Sequence, residues 1–164
     1  SGRMGLIGIL MIVSAAAQGL DEIGRSGEAV DILGANCKHS ATRFNCVEYV
    51  GNYDGDTLTF DVADVHPLLG KNMKVRVHGI DTAEIRSVDS CERDVAAKTQ
   101  QTVQEFMSDA RRVDLVNVAR EKYFRVLADV MVDSHSLAEF LLRKGLAIRY
   151  DGGTKADVDW CRVR

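Results

Sequence analysis

The chain has 164 residues, 46% hydrophobic and 27% charged, with 14 Gly and a single Pro. These values fit one globular domain large enough for a proper core and exclude a low-complexity or collagen-like chain. A formal net charge of −3 argues against a protein that binds polyanions by bulk charge alone.

Gly5 to Ala17 (GLIGILMIVSAAA) is an uncharged run that ends in small residues and follows Arg3. It reads as the apolar core of a signal peptide over residues 1–17, with cleavage after Ala15-x-Ala17, and implies export to the periplasm or the medium. The competing reading is a buried helix or an uncleaved anchor, although thirteen residues fall short of the ~20 that cross a bilayer. Residues 18–45 show no firm period and read as an N-terminal arm or linker. Residues 47–51 and 57–62 then form a predicted hairpin around Asp54-Gly55, a favoured two-residue turn. Leu58, Phe60 and Val62 alternate with Thr57, Thr59 and Asp61, the period of a half-buried strand.

Residues 67–72 read as a loop. In a third strand Met73, Val75 and Val77 alternate with Lys74, Arg76 and His78. A helix over 92–110 has Ala96, Thr99, Val103, Phe106 and Ala110 on one face. Strands follow at 113–118 and 124–132, and Ser134 caps a last helix that runs through Arg143 and stops at Gly145. Residues 153–164 form a C-terminal tail. Three strands, a helix, two strands and a helix make an α+β, mainly β arrangement. It is the order of a five-stranded Greek-key OB-fold barrel with two to three helices, placed here over residues 46–152.

Cys37, Cys46, Cys91 and Cys161 are an even number in a chain expected to be exported. Three pairings are open. Cys37 with Cys46 would close a small local loop, leaving Cys91 and Cys161 to tie the first long helix to the tail. Zinc held by Cys37, His39 and Cys46 is the rival reading, on a spacing that fits no common finger.

The charges are uneven. Residues 18–110 carry 9 Lys/Arg against 16 Asp/Glu, and residues 111–164 carry 11 against 8. Such a division suits a site that holds a cation and receives an anion, or is chance patterning on a solvated surface. Several charges fall at expected strand ends. Asp56 opens the second strand, Asp81 and Glu84 follow the third, and Arg76 and Arg125 sit at strand positions. Two carboxylates at neighbouring strand ends can hold a hard divalent cation. A third can deprotonate a water, and two arginines can fork onto phosphate oxygens.

Four short motifs carry a resemblance: Asp54-Gly55-Asp56-Thr57, Arg76 with Ile80-Asp81-Thr82-x-Glu84, Lys122-Tyr123-x-Arg125, and Gly145-Leu146-Ala147. In order and spacing, from about Cys46 to Asp151, the chain resembles the staphylococcal nuclease (thermonuclease) family. The resemblance implies Asp56 and Asp81 as side-chain ligands of Ca²⁺, with Mg²⁺ or Mn²⁺ as substitutes, and Thr82 as a backbone ligand. It implies Glu84 beside the attacking water and Arg76 and Arg125 on the scissile phosphate. Tyr123 would stand near the nucleotide's phosphate. The implied protein is an endonuclease that cleaves DNA and RNA with little sequence specificity and leaves 3′-phosphates; a monomer is expected. Its alternative is a non-catalytic nucleic-acid-binding OB module. Two departures stand out: Ala83 where the family often has Pro, and Phe124 where a Gly is common before the second arginine.

Overall fold

A computed structural model describes residues 37–122 and 125–162 of the chain. The expected signal peptide, the arm up to residue 36, Tyr123 and Phe124 lie outside the described residues. In chain order the elements are β1 (Arg43–Phe44), β2 (Glu48–Asn52), β3 (Thr57–Asp61), α1 (Pro67–Gly70), β4 (Met73–Val77) and β5 (Ile80–Thr82). They continue with α2 (Ser90–Ser108), β6 (Val113–Arg120), β7 (Val126–Val132), β8 (His135–Ser136), α3 (Leu137–Arg143) and β9 (Ala147–Arg149).

The main sheet runs β1-β6-β7-β4-β3-β2, with β8 on β7, and β5 pairs with β9 as a separate ladder. It is a mixed sheet, because β4 and β7 are parallel while the other pairs are antiparallel. With three helices, the architecture is α+β and of OB-like type. Its longer strands, β2, β3, β4, β6 and β7, answer the five expected ones. β1, β5, β8 and β9 are two or three residues long.

Alternation produces the core. Leu58 and Phe60 of β3, Val75 and Val77 of β4, and Leu115 and Val130 of β6 and β7 are fully or almost fully buried. α2 closes over them with Ala96, Thr99, Val103 and Met107. The last fully buried residue is Met107, and Phe106 and Ala110 pack partly buried against the same core, with Phe106 stacked on Phe140 of α3. α2 starts at Ser90 because the Asp89 side chain accepts the Cys91 N–H, an N-cap.

Three local expectations are corrected. Residues 67–70 form α1 rather than loop, with Pro67 at the first helical turn, where its missing N–H costs nothing. The cap of α3 is Ser136, whose hydroxyl accepts the Glu139 N–H, while Ser134 occupies a left-handed turn position at φ 67°. Asp54-Gly55 is not a two-residue turn, since β2 ends at Asn52 and β3 starts at Thr57, which leaves residues 53–56 as a four-residue loop. Gly55 is needed for close approach instead. A Cβ there would sit 2.4 Å from Thr99 Cγ2 and 2.8 Å from Thr82 Cγ2.

Cys37 is bonded to Cys46 and Cys91 to Cys161. Two disulfides are compatible with an extracellular protein. The first, with β1 on β6, holds residues 37–45 against the domain. The second brings the C-terminal segment to the start of α2, where Trp160 packs with Ala83 and Ala96. No helix among the described residues is long and apolar enough to cross a membrane.

Candidate active site

β3, β4 and β5 build the site by register. Thr57 pairs with Arg76, and the Val77 N–H donates to the Asp56 carbonyl at 2.8 Å, so Asp56 and Arg76 sit side by side. Beyond Val77 the chain turns through Gly79 at φ 82°, a conformation open to glycine, and returns as β5 carrying Asp81 and Thr82. The Thr82 N–H donates to Asp56 Oδ2 at 3.1 Å, which locks the end of β5 onto the start of β3.

Arg76 is the centre of this arrangement. Strand alternation points it away from the apolar core, yet it is only 6% exposed. Its guanidinium lies 3.5 Å from Asp56 Oδ2, 3.3 Å from Asp81 Oδ1 and 3.9 Å from Glu121 Oε1. It also donates to the Ile80 carbonyl at 3.1 Å, and the Tyr150 ring lies 5.4 Å from its central carbon. A rim ion pair would be solvated and weak. This one is buried, and a buried guanidinium is tolerated only because carboxylates and carbonyls surround it.

Arg125 precedes β7 and reaches the same cavity, where its Nε lies 3.0 Å from Glu121 Oε2. Glu84 stands at the mouth with its carboxylate about half exposed, and its N–H donates to Glu92 Oε1. Asp56, Arg76, Glu84 and Arg125 line one cavity of about 510 Å³. Asp81 touches it through Arg76 and Lys155. The structure therefore brings together the site residues expected from the sequence, except Tyr123, which lies outside the described residues.

Three contributors were not read from the sequence as site residues. Glu121 ties both arginines, and its spacing of four from Arg125 was the available signal. Tyr150 follows β9 and lies against Arg76. Lys155, from the segment expected as a tail, puts its ammonium 2.9 Å from Asp81 Oδ1 and 2.9 Å from Glu84 Oε1. Its only sequence cue was its place between Gly152-Gly153 and Cys161.

Asp54 is buried and serves the loop, accepting the N–H groups of Asp56 and Thr57 at 3.1 and 2.8 Å. Burial, with the nearby Asp54 charge, pushes the Asp56 carboxyl up to about 6 against the pull of Arg76 and the Thr82 N–H. For Lys155, partial burial would lower the pKa, but its hydrogen bonds to Asp81 and Glu84 outweigh this and raise it.

Among the described residues no three His, Cys, Asp or Glu side chains stand together as a ready-made metal cluster. The site offers two buried carboxylates, Asp56 and Asp81, converging on one guanidinium, and only oxygen donors. That donor set fits a hard cation such as Ca²⁺, whose remaining positions carbonyls, water and substrate oxygens can fill.

A family model described as staphylococcal nuclease homologue matches residues 74–159, just over half of the chain. The matched span includes Arg76, Asp81, Thr82, Glu84, Glu121, Arg125 and Lys155, and the fold joins Asp56 to them from outside it. Comparison with curated proteins gives no match.

Proposed function

The chain belongs to the staphylococcal nuclease homologue family, and on that premise we propose that it is a Ca²⁺-dependent endonuclease acting on the phosphodiester bonds of DNA and RNA. The observation that carries the reading is the double grip of Arg76 on Asp56 and Asp81 in the cavity that Arg125 and Glu84 also line. In this reading the catalytic unit is a closed OB barrel over residues 46–152. It is exported as a monomer after loss of residues 1–17; of the expected arm over 18–45, residues 37–45 join the domain through β1 and the Cys37–Cys46 disulfide.

Asp56 and Asp81, with the Thr82 carbonyl, would hold the ion. When bound, it supplies positive charge beside the phosphate and a Lewis-acid contact to it. The protein's own residues do the rest. Arg76 and Arg125 exchange part of their pairing with Glu121 for the non-bridging phosphate oxygens, and so stabilise the charge that grows there. Glu84, at the open mouth, accepts a proton from the attacking water as the water oxygen bonds to phosphorus. The P–O5′ bond breaks with its electron pair on O5′, which takes a proton from solvent and leaves as the 5′-hydroxyl. Products with 3′-phosphates follow from that direction of cleavage. Lys155 neutralises Asp81 and Glu84, and its ammonium would compete with a cation held by Asp81.

The test is digestion of single-stranded DNA, duplex DNA and RNA by the oxidised protein, with Ca²⁺ and with chelator, beside Glu84→Gln and Arg125→Ala. Calcium-dependent cleavage that collapses in both variants is expected. A folded protein that binds but leaves every substrate intact with Ca²⁺, Mg²⁺ or Mn²⁺ would make it a binding module.

A further inference from the structure

The segment after β9 passes the catalytic cavity, and both its ends are fastened. At the near end the Tyr150 N–H donates to the Gly79 carbonyl at 3.0 Å, and the Tyr150 hydroxyl donates to the Gly153 carbonyl at 2.8 Å. At the far end Trp160, 6% exposed, packs with Ala83 and Ala96, and Cys161 is bonded to Cys91. Ala83 is the chain neighbour of Glu84, so this end is anchored beside the mouth of the cavity. Lys155 lies between the two anchors and lines the cavity together with Arg76 and Arg125.

Its ammonium carries three N–H donors. It stands 2.9 Å from Asp81 Oδ1 and 2.9 Å from Glu84 Oε1. With a divalent cation on Asp56 and Asp81, the contact to Asp81 is lost, because like charges repel and compete for one carboxylate. The contact to Glu84 is not part of that competition, and with the two anchors it keeps the ammonium at the mouth. A donor is then free inside the cavity, and the anion within its reach is the phosphate that Arg76 and Arg125 would grip.

We infer that Lys155 is a further catalytic residue, a third cation that passes from Asp81 to a non-bridging phosphate oxygen when the cation site fills. The inference rests on the nuclease reading and adds to it a substrate contact from the C-terminal segment. The exchange ties phosphate binding at this residue to the metal. Without the ion the ammonium is taken up by carboxylates, and with it the ammonium serves the substrate. A hydrogen bond from ammonium to phosphate is charge-assisted, so it strengthens as negative charge grows on the phosphate oxygens.

The experiment compares the oxidised, full-length parent with Lys155→Met and Lys155→Arg, the fold of each verified by thermal melting. Calorimetry titrates two ligands, CaCl₂ alone and thymidine 3′-phosphate in saturating Ca²⁺ or in chelator. The nucleotide has the product's phosphate and no phosphodiester bond, so nothing turns over. Lys155→Met should move the two affinities in opposite directions. Ca²⁺ should bind about 1.4- to 5-fold tighter, the weight of one solvated ion pair. The nucleotide in Ca²⁺ should bind about tenfold weaker, the loss of one hydrogen bond to a charged group. In chelator the nucleotide should lose much less, and Lys155→Arg should retain the binding seen in Ca²⁺.

Unchanged nucleotide affinity in Lys155→Met with Ca²⁺ would overturn the proposal. So would weaker binding of both ligands, the mark of a segment that has merely come loose, or an equal nucleotide loss in chelator. Digestion of DNA by the parent with Ca²⁺ separates the two readings. If cleavage occurs while Lys155→Met binds the nucleotide as the parent does, the nuclease stands and the lysine contact falls. If cleavage never occurs but the opposite shifts are seen, the contact stands in a site that binds phosphate without cutting it.

Discussion

Replacing Lys155 by methionine keeps the stem and removes the ammonium that stands 2.9 Å from both Asp81 and Glu84. Two opposite effects should follow. Without metal, the carboxylates lose a counter-charge. The lysine is about half exposed, so each pair is discounted to the range of solvated ion pairs, ~0.2–1 kcal/mol. The sum, about 0.4–2 kcal/mol, should lower the melting temperature in chelator by roughly 1–8 °C for a domain of this size. With Ca²⁺ only the Asp81 share, ~0.2–1 kcal/mol, returns as affinity, because the ion no longer displaces the ammonium from Asp81. At 1.4 kcal/mol per tenfold, Kd should tighten by about 1.4- to 5-fold. Calorimetric titration of the oxidised protein with CaCl₂ reads the affinity, and thermal shifts with and without Ca²⁺ read both effects. Lys155→Arg retains the charge and should stay close to the parent. Unchanged or weaker Ca²⁺ binding in Lys155→Met would refute the idea that this ammonium and the ion share one place.

Asp56→Asn keeps an acceptor for the Thr82 N–H and removes a buried charge. In chelator at neutral pH it should melt at or slightly above the parent, because folding raises the Asp56 pKa and so disfavours its charged form, while Asp81 and Glu121 still compensate Arg76. The Ca²⁺-induced shift and Ca²⁺-supported cleavage should vanish. Gly55→Ala forces a Cβ against Thr99 Cγ2 and should cost ~1–3 kcal/mol in urea unfolding. Thr99→Ser in the same chain, which deletes that methyl, should recover part of the loss, and strict additivity of the two changes would contradict the contact. Cys91→Ser/Cys161→Ser opens a link across 70 residues and should cost about 3–5 kcal/mol in the chain-entropy model. Because it also frees the segment carrying Lys155, Ca²⁺ affinity measured below the new melting point should shift in the direction of Lys155→Met.

The periodic elements were legible because their patterns are local. Thr57–Asp61 buries alternate side chains as its sequence implies, Val75 and Val77 face the core as theirs does although Arg76 between them is buried too, and Ala96, Thr99 and Val103 face inward at helical spacing. The failures have physical causes as well. A strand of two or three residues, such as β5 or β9, is too short to express a period, and exists because a distant partner offers its edge. Asp54-Gly55 carries a hairpin signal, but a glycine that allows positive φ and one that allows close contact look alike in a sequence. Here α2 and Thr82 make it the second kind.

By itself the sequence determined the chemistry available: carboxylates and arginines at strand ends, thiols in an even number, and a basic segment after an acidic one. Only the tertiary structure decided who neutralises whom. Arg76 is shared by Asp56 and Asp81 because β3, β4 and β5 meet there, Glu121 reaches both arginines, and Lys155 arrives through the disulfide that pins the C-terminal segment to α2. Hydrophobic periodicity is a property of consecutive residues, whereas Coulomb interaction depends on distance through space and on burial, and neither is set until the chain has folded.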